Sequence, residues 1–585
     1  MSFVPLRNPI GFGPVDFIEL TIALVLLALV LVWRPWIAPL SAKFARRTAW
    51  CMAALFLLPL ALRLILLPHH PVPAPDIYDE FGHLLEADTL RHGRLANPAH
   101  PLHQFFETFF VLQQPTYSSI YPMGNGLAFA LGWIVFGLPW AGVLLCTGAL
   151  CALCYWMLRG WTTPGWALFG GLLAVFEFGP LNQWTNNYWG GGFTAVAGCL
   201  VFGALPRLKN RGRIRDAAIL GAGLAMHLLS RPYESIFLFL SVALFPIWRA
   251  RRITFRAPIA ASIALPVVVA AGLILFQNKQ VTGQWTTLPY QLSQIQYGVP
   301  AALTFQSKPV PHAPLTPQQE LDYRMQRGFQ PGKDTFGAYF ARLAFRARYY
   351  RFYFYAPLYL ALIAFVVTIR KDRWAGVALT CILFALGTNF FPAFQFHYLA
   401  GIVCLFILIG VRGLQQLTRL RRGREAARAV IFLCIAQFAF WYALHLPDTA
   451  DFSTETRRFD LWDSINHAGP TRRIGIDREL AGIPGKLLVF VRYWPQHVFQ
   501  EEWVYNAADI DGQRIVWARD LGDAENQKLI AYYRDRKLLL LEPDARPLRL
   551  TPYQPAPAAP EQQQEPGKPK NAPPAHPLIE LEQVR

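Results

Sequence analysis

Pro75-Asp76-Ile77-Tyr78-Asp79-Glu80-Phe81-Gly82-His83, continuing to Asn97-Pro98, is a carboxylate-rich stretch set between two long apolar runs. Its setting decides how the chain is read. The chain has 585 residues, of which 54% are hydrophobic. The apolar residues come in blocks near the ~20 needed to cross a ~30 Å hydrocarbon layer. The chain therefore reads as a polytopic α-helical membrane protein whose helices frame Asp79 and Glu80 just outside the bilayer.

The formal net charge of +18 does not indicate nucleic acid. The basic residues sit in short clusters between apolar blocks: 207–215, 249–256, 370–373 and 412–428. That is the positive-inside pattern of membrane proteins, not a binding stripe. All eight cysteines lie in or beside apolar runs, so neither a disulfide framework nor a thiolate metal site is indicated. Cys151-x-x-Cys154 has redox spacing but reads as small-residue helix packing.

Spans near 17–33 and 50–67 place residues 68–122 outside. From residue 206 onward, spans near 216–230, 235–248, 258–276, 353–369, 374–391, 396–411 and 429–446 alternate so that every basic cluster falls inside. Segments 277–352, 392–395 and everything after 446 then fall outside, as does the loop Asn182 to Gly192. The short 124–138 piece reads as a half-helix or interfacial helix, with 141–158 the true crossing. This gives about eleven to twelve crossings.

Five regions result: 1–67, N-terminal helices; 68–122, an external loop with the acidic motif; 123–446, the transmembrane core; 447–551, a small external α/β domain; 552–585, a Pro- and Gln-rich disordered tail. In the fourth region, 486–492, 514–519 and 537–542 read as strands and 523–536 as a helix.

A helix over about 77–92 puts Asp76, Glu80 and His83 on one side, with Asp79, His83 and Glu86 on an overlapping one. Ile77, Phe81, Leu84 and Leu85 make the opposite, greasy side. Such a helix is expected to lie along the membrane surface with its carboxylates toward a cavity. Neighbouring acids in a low-dielectric setting shift each other's pKa, which suits a general base. A solvated amphipathic loop helix fits the same pattern equally well.

Tyr78-Asp79-Glu80-x-x-His83-x-x-x-Ala87 with Gly93, then Gln114-Pro115-Thr116-Tyr117, Tyr121-Pro122 and Ile134-Val135-Phe136-Gly137, resembles the first external loop of GT-C glycosyltransferases. That superfamily includes the protein O-mannosyltransferases and the lipid A aminoarabinose transferase. The resemblance covers roughly 70–445 in architecture and 76–137 in motif. It implies inverting transfer of a sugar from a polyprenyl-phosphate donor, with Asp79 as base beside Glu80 and with His83 and Tyr121 at the substrate. The aminoarabinose transferase has Glu-Lys-Pro where this chain has Gln113-Gln114-Pro115, so those two residues are not carried over. Any divalent metal ion is left unknown; His83 with Glu80, or Glu107, would be the alternative donors.

A lipid-phosphate leaving group needs positive charge on the outer side. Arg231, Lys279, Arg346, Arg348 and Arg351 stand at outer ends of spans, the last three among Phe345, Tyr349, Tyr350 and Tyr353. Arginine forks suit phosphate and aromatic rings suit an isoprenoid chain. Interfacial anchoring for 346–351, and an ion pair with Glu234 for Arg231, are the plainer readings. Asn186, Asn187, Tyr188 and Trp189 have the amide and aromatic character of a sugar-contacting loop, although the adjoining glycines would also serve tight helix packing. His397-Tyr398 lies at another outer helix mouth.

The expected partners are the lipid-linked donor, an acceptor that is a lipid, glycan or protein, and membrane lipids. Composition places the chain in a bacterial inner membrane with the active face and the C-terminal domain periplasmic. A lipid-linked sugar flippase or transporter and a surface-polysaccharide polymerase or ligase are the alternatives. Few charges inside spans (Arg63, Glu177 and His227) and no evident repeat weigh against a transporter.

Overall fold

The computed structural model describes residues 42–75, 77–245, 257–329, 334–347, 349–369, 372–447 and 471–554, with isolated positions at 21, 25 and 28. The first expected span, Asp76, the basic cluster 249–256, Arg348 and the tail beyond 554 lie outside the described residues.

The molecule is a helical membrane frame carrying a small α/β domain. Among the described residues five helices are long and apolar enough to cross a membrane: Thr48–Ile65, Pro139–Leu158, Ala257–Thr282, Phe396–Leu417 and Gly423–Ala443. Met123–Phe136, Pro164–Phe178, Pro232–Leu244 and Arg373–Thr388 are shorter and apolar. Where helices touch, small residues let backbones meet: a Cβ on Gly198 would lie 2.0 Å from the Gly401 carbonyl oxygen. The span after residue 395 opens as a 3-10 turn, Phe396–Ile402, before becoming α-helical at Val403. His397 and Tyr398 therefore sit on tight backbone at the mouth of that span.

The segments placed outside by the charge pattern meet one another. The first loop carries a three-stranded sheet in which Thr116–Ser119 pairs antiparallel with both Asn97–Pro98 and Val111–Leu112. Thr116 Oγ1 donates to the Val281 carbonyl at 2.9 Å, and Gln296 Nε2 donates to the Gln114 carbonyl at 2.9 Å. The C-terminal domain joins the same end through Tyr117, whose hydroxyl donates to the Asn506 carbonyl at 2.9 Å.

That domain has a four-stranded sheet in the order Ile515–Arg519, Leu487–Val491, Lys537–Glu542 and Arg549–Pro552. The first three strands are parallel and the last is an antiparallel edge. Leu487–Val491 is buried at every position, as a central strand covered on both faces requires. Leu487, Val489 and Val491 pack with Ile476 and Leu480 of the helix Thr471–Gly482. Leu488 and Phe490 point the other way, into a core shared with Leu85, Phe105, Phe106, Val111 and Tyr117 of the first loop. The expected strands are found within a residue of their predicted limits. The helix Asp523–Tyr532 ends four residues early, and the edge strand and the helix Thr471–Gly482 were not foreseen.

Candidate active site

The acidic motif opens a helix, Tyr78–Arg91. Glu80 caps it: Oε2 accepts from the Ile77 backbone N–H at 3.4 Å. The expected surface-lying helix with one greasy side is corrected here. Between 78 and 89 every residue is buried except Asp79, because the C-terminal domain covers Phe81 and Leu85 on the greasy side while Leu84 packs against Phe129 and Trp140 of the apolar helices. Phe81 lies 4.5 Å from the Tyr505 ring, with the Arg473 guanidinium 4.7 Å above Phe81.

Asp79 is held by the Tyr121 hydroxyl, which donates to Oδ1 at 2.5 Å, and by a further hydrogen bond from Trp189. Burial pushes its carboxyl up to about 6, against the opposing pull of those hydrogen bonds and of Arg231. The His83 ring stacks on Tyr121 at 4.0 Å between centroids. The Trp189 ring meets His397 edge-on at 5.6 Å. The Arg231 guanidinium stands 5.8 Å over the Tyr398 ring and 3.8 Å from Glu234. Asp79, Tyr121, Trp189, Arg231 and Tyr398 all keep partial access to solvent among neighbours that are mostly buried. Seven candidates from five separate stretches, Asp79 with His83, Tyr121, Trp189, Arg231, and His397 with Tyr398, thus gather in one place.

Other candidates stand elsewhere. Glu80 is buried, and its Oε1 accepts from the Tyr188 backbone N–H at 2.8 Å, which ties the acidic helix to the 182–191 loop. Tyr188 donates its hydroxyl to the Pro73 carbonyl at 3.0 Å. Asn186 is fully engaged: Oδ1 accepts from Arg63 Nε at 2.6 Å, while Nδ2 donates to the Pro180 and Asn182 carbonyls at 2.8 Å each. Asn187 Oδ1 accepts from the Trp189 N–H at 3.0 Å, so it shapes the turn that presents Trp189. The glycines after it have a steric duty. Gly190 and Gly191 have φ of +89° and +118°, and a Cβ on either would strike Asn125 or the Trp184 indole.

Arg346 is buried and spends its fork on backbone carbonyls: Nη1 on Thr388 at 2.8 Å, Nη2 on Phe391 at 2.5 Å and on Pro392 at 3.3 Å. It braces the turn whose Phe391 ring stacks on Tyr398 at 4.2 Å. Lys279 is exposed and donates to the Gly283 carbonyl at 2.7 Å, away from the Asp79 group. Arg348 and the Arg351 side chain fall outside the described residues. Of the ionisable groups inside spans, Arg63 is satisfied locally and His227 is engaged through one ring nitrogen. Arg63 holds Asn186 and the His70 and Pro71 carbonyls, and His227 Nδ1 lies 2.7 Å from the Ser235 hydroxyl.

Three neighbours were not singled out from the sequence. Asp322, from the helix Pro317–Gly328, is buried beside the Tyr78 hydroxyl at 3.4 Å, and burial pushes it up to about 7. Tyr290 lies within electrostatic reach of Asp79, Arg231 and Tyr398. Gln277 Nε2 donates to Glu86 Oε1 at 3.0 Å and to the Tyr121 carbonyl at 3.2 Å. All three come from the 277–328 region, where no local pattern distinguishes a site residue from a loop residue. Glu107 is pushed up by burial and faces His103 and Gln319. Among the described residues no group of three or more His, Cys, Asp or Glu side chains is placed to hold a metal ion.

No family model matches the sequence, and no curated protein matches it. Solved structures do. ArnT from Cupriavidus metallidurans bound to undecaprenyl phosphate aligns over 85% of this chain and 93% of its own, at 12% identity and a TM-score of 0.46. The apo state of that protein aligns over 84% and 92%, at 10% identity and 0.48. The Archaeoglobus fulgidus oligosaccharyltransferase in complex with Zn and sulfate aligns over 84% and 67%, at 10% and 0.42. At these scores a likeness carries no residue's role across.

Proposed function

We propose that this protein is a membrane glycosyltransferase of the GT-C kind, moving a sugar from a polyprenyl-phosphate donor to an acceptor hydroxyl at the outer membrane face. The observation that carries the reading is the gathering of Asp79, Tyr121, Trp189, Arg231, His397 and Tyr398, all but His397 half-buried, around one reachable carboxylate at the mouths of apolar helices. A carboxylate raised to about 6 is largely ionised at neutral pH yet basic enough to take a proton as an alcohol becomes a nucleophile.

In the step, the acceptor oxygen forms its bond to the anomeric carbon while the bond from that carbon to the phosphate oxygen breaks. The electron pair leaves with the phosphate, and the acceptor's proton passes to Asp79. Arg231, whose ion pair with Glu234 is long at 3.8 Å, receives the growing phosphate charge. Single displacement from the face opposite the phosphate inverts the anomeric centre. Tyr121 orients the carboxylate, and Trp189 and Tyr398 offer flat faces to sugar or isoprenoid. Glu80 is read as the brace of this arrangement rather than as a second base. The acceptor side is the periplasm of a bacterial inner membrane on this reading. Local partners for Arg63 remove one of the charges a transporter would move.

The test is transfer from a labelled polyprenyl-phosphate sugar pool by purified wild type and Asp79→Asn, at matched folding. Loss of transfer with donor binding intact is expected. Equal transfer by both proteins would overturn the assignment.

A further inference from the structure

His83 has a buried imidazole, 2% exposed, and neither Nδ1 nor Nε2 has a hydrogen-bond partner among the described residues. A buried polar atom left unpaired has lost its hydration with nothing in exchange. Two such atoms on one ring, inside the candidate site, are a place where a ligand atom is owed. The ring is fixed: Tyr121 stacks on one face at 4.0 Å, and Phe129 meets it edge-on at 6.5 Å. It lies within electrostatic reach of Arg231, and His397 lies within reach of both. The group facing the His83 side of the site should therefore be an anion able to accept a hydrogen bond.

We propose that His83 is a phosphate ligand, donating a ring N–H to an oxygen of the lipid donor's phosphate while Arg231 supplies the charge. This rests on the glycosyltransferase reading and adds a residue and a mode of contact to it. Burial and the nearby Arg231 push the imidazole down to about 3, so it is neutral at working pH. A neutral imidazole gives a directed hydrogen bond without forming an ion pair with Asp79, four residues earlier on the same helix. It thus binds the leaving group and leaves the base free. His83 moves no proton in the reaction: its N–H stays in place while the phosphate departs.

The test is the affinity of the full-length protein in detergent for undecaprenyl phosphate and for undecaprenol, read by native mass spectrometry. His83→Phe keeps the ring stack and removes both nitrogens; His83→Asn keeps a donor. His83→Phe is expected to weaken undecaprenyl phosphate about tenfold and His83→Asn less than about threefold, with undecaprenol unchanged in both. Thermal melting should not fall for His83→Phe, because it removes two unpaired buried atoms; should it fail to fold, His83→Leu gives the same contrast. Undecaprenyl phosphate bound equally by wild type and His83→Phe overturns the inference, and so does an equal loss for undecaprenol, which would mark a packing effect. A loss seen only with the sugar-linked donor assigns the ring to a sugar hydroxyl and overturns it also. A wild type that does not distinguish phosphate from alcohol overturns the lipid-phosphate reading itself, and this inference with it.

Discussion

Asp79 and Asp88 stand in the same helix, about two and a half turns apart, and each faces protein rather than open water. Asp88 looks toward the C-terminal domain and is 1% exposed. Its Oδ2 accepts from the Ala508 N–H at 2.7 Å and its Oδ1 from Arg91 Nε at 2.5 Å. Asp79 looks toward the apolar helices and keeps partial access to solvent. It has hydrogen bonds from Tyr121 and Trp189 but no ion pair among the described residues, and its carboxyl is pushed up to about 6. One carboxylate is finished by a backbone donor and a cation, and the helix uses it as a joint. The other is left short of a cation, which keeps it basic. The local environment, not the residue type, separates the structural acid from the chemical one.

The largest expected effect tests that division directly. Asp79→Asn should lower transfer by about 10³-fold, the middle of the range for loss of a general base. Melting should not suffer, since a neutral amide replaces a carboxylate that burial disfavours. Asp88→Asn should do the reverse. Its amide cannot serve both the Ala508 N–H and Arg91, so stability should fall by about 3 kcal/mol, while the folded fraction transfers at near the wild-type rate. Denaturation melts and specific activities corrected for folded protein separate the two. A folded Asp88→Asn as inactive as Asp79→Asn would mean that the two faces of the helix are not distinct.

Two arginines sharpen the same contrast at smaller scale. Arg346 is committed to three carbonyls, whereas Arg231 stands over Tyr398 with its acid partner 3.8 Å away. Arg231→Lys should weaken polyprenyl-phosphate binding by about tenfold, because a lysine loses the planar fork, and should leave melting nearly unchanged. Arg346→Lys should lower the melting temperature and affect binding only through the Phe391–Tyr398 stack. Binding isotherms and melts on both variants check this, and matching losses of binding would cancel the distinction.

The rate should carry the signature of Asp79 as well. A base acts only when ionised, and this one is raised to about 6. The donor-limited rate should therefore rise about tenfold per pH unit below 6 and level off above it. An acid limb near 4 would mean that the carboxylate is fully paired in the working enzyme.

How far the sequence reached follows from the range of the forces involved. Apolar block length and basic clusters are local, so the helical frame and the grouping of outer segments were readable. The continuous apolar run Leu487–Val491 between Lys486 and Arg492 is also local, and it marked a strand. The target of Leu488 and Phe490, the Leu85 side of the acidic helix, was not readable, because nothing in either stretch names the other. The helix side with Phe81 and Leu85 looked like a membrane-facing stripe for the same reason: lipid and a distant β-sheet are equally apolar. In the site, residues with charge or aromatic character at span ends were found, but Asp322, Tyr290 and Gln277 were not. Asn186 shows the converse error, since a loop amide suited to sugar is equally suited to a buried arginine such as Arg63.

The smallest expected effect concerns Glu86, which separates the two faces. It is 1% exposed, accepts from Gln277 Nε2 at 3.0 Å, and burial pushes it up to about 8. The sign follows from linkage. The folded protein keeps this proton to about pH 8, while an unfolded chain releases it near the ordinary ~4.3. The stability it provides is complete below that lower value and is lost as pH rises through the folded one. Glu86→Gln has the same shape, keeps the oxygen that Gln277 uses, and cannot ionise. Its melting temperature should match wild type at pH 5 and exceed it by on the order of a few degrees at pH 8.5. Other raised acids such as Asp79 and Asp322 titrate in both proteins and drop out of the difference. Melting curves that stay parallel from pH 5 to 8.5 would mean that Glu86 is ionised in the fold. It would then be a further charged acid on the helix, and the contrast between Asp79 and Asp88 would have to be argued without a neutral Glu86 between them.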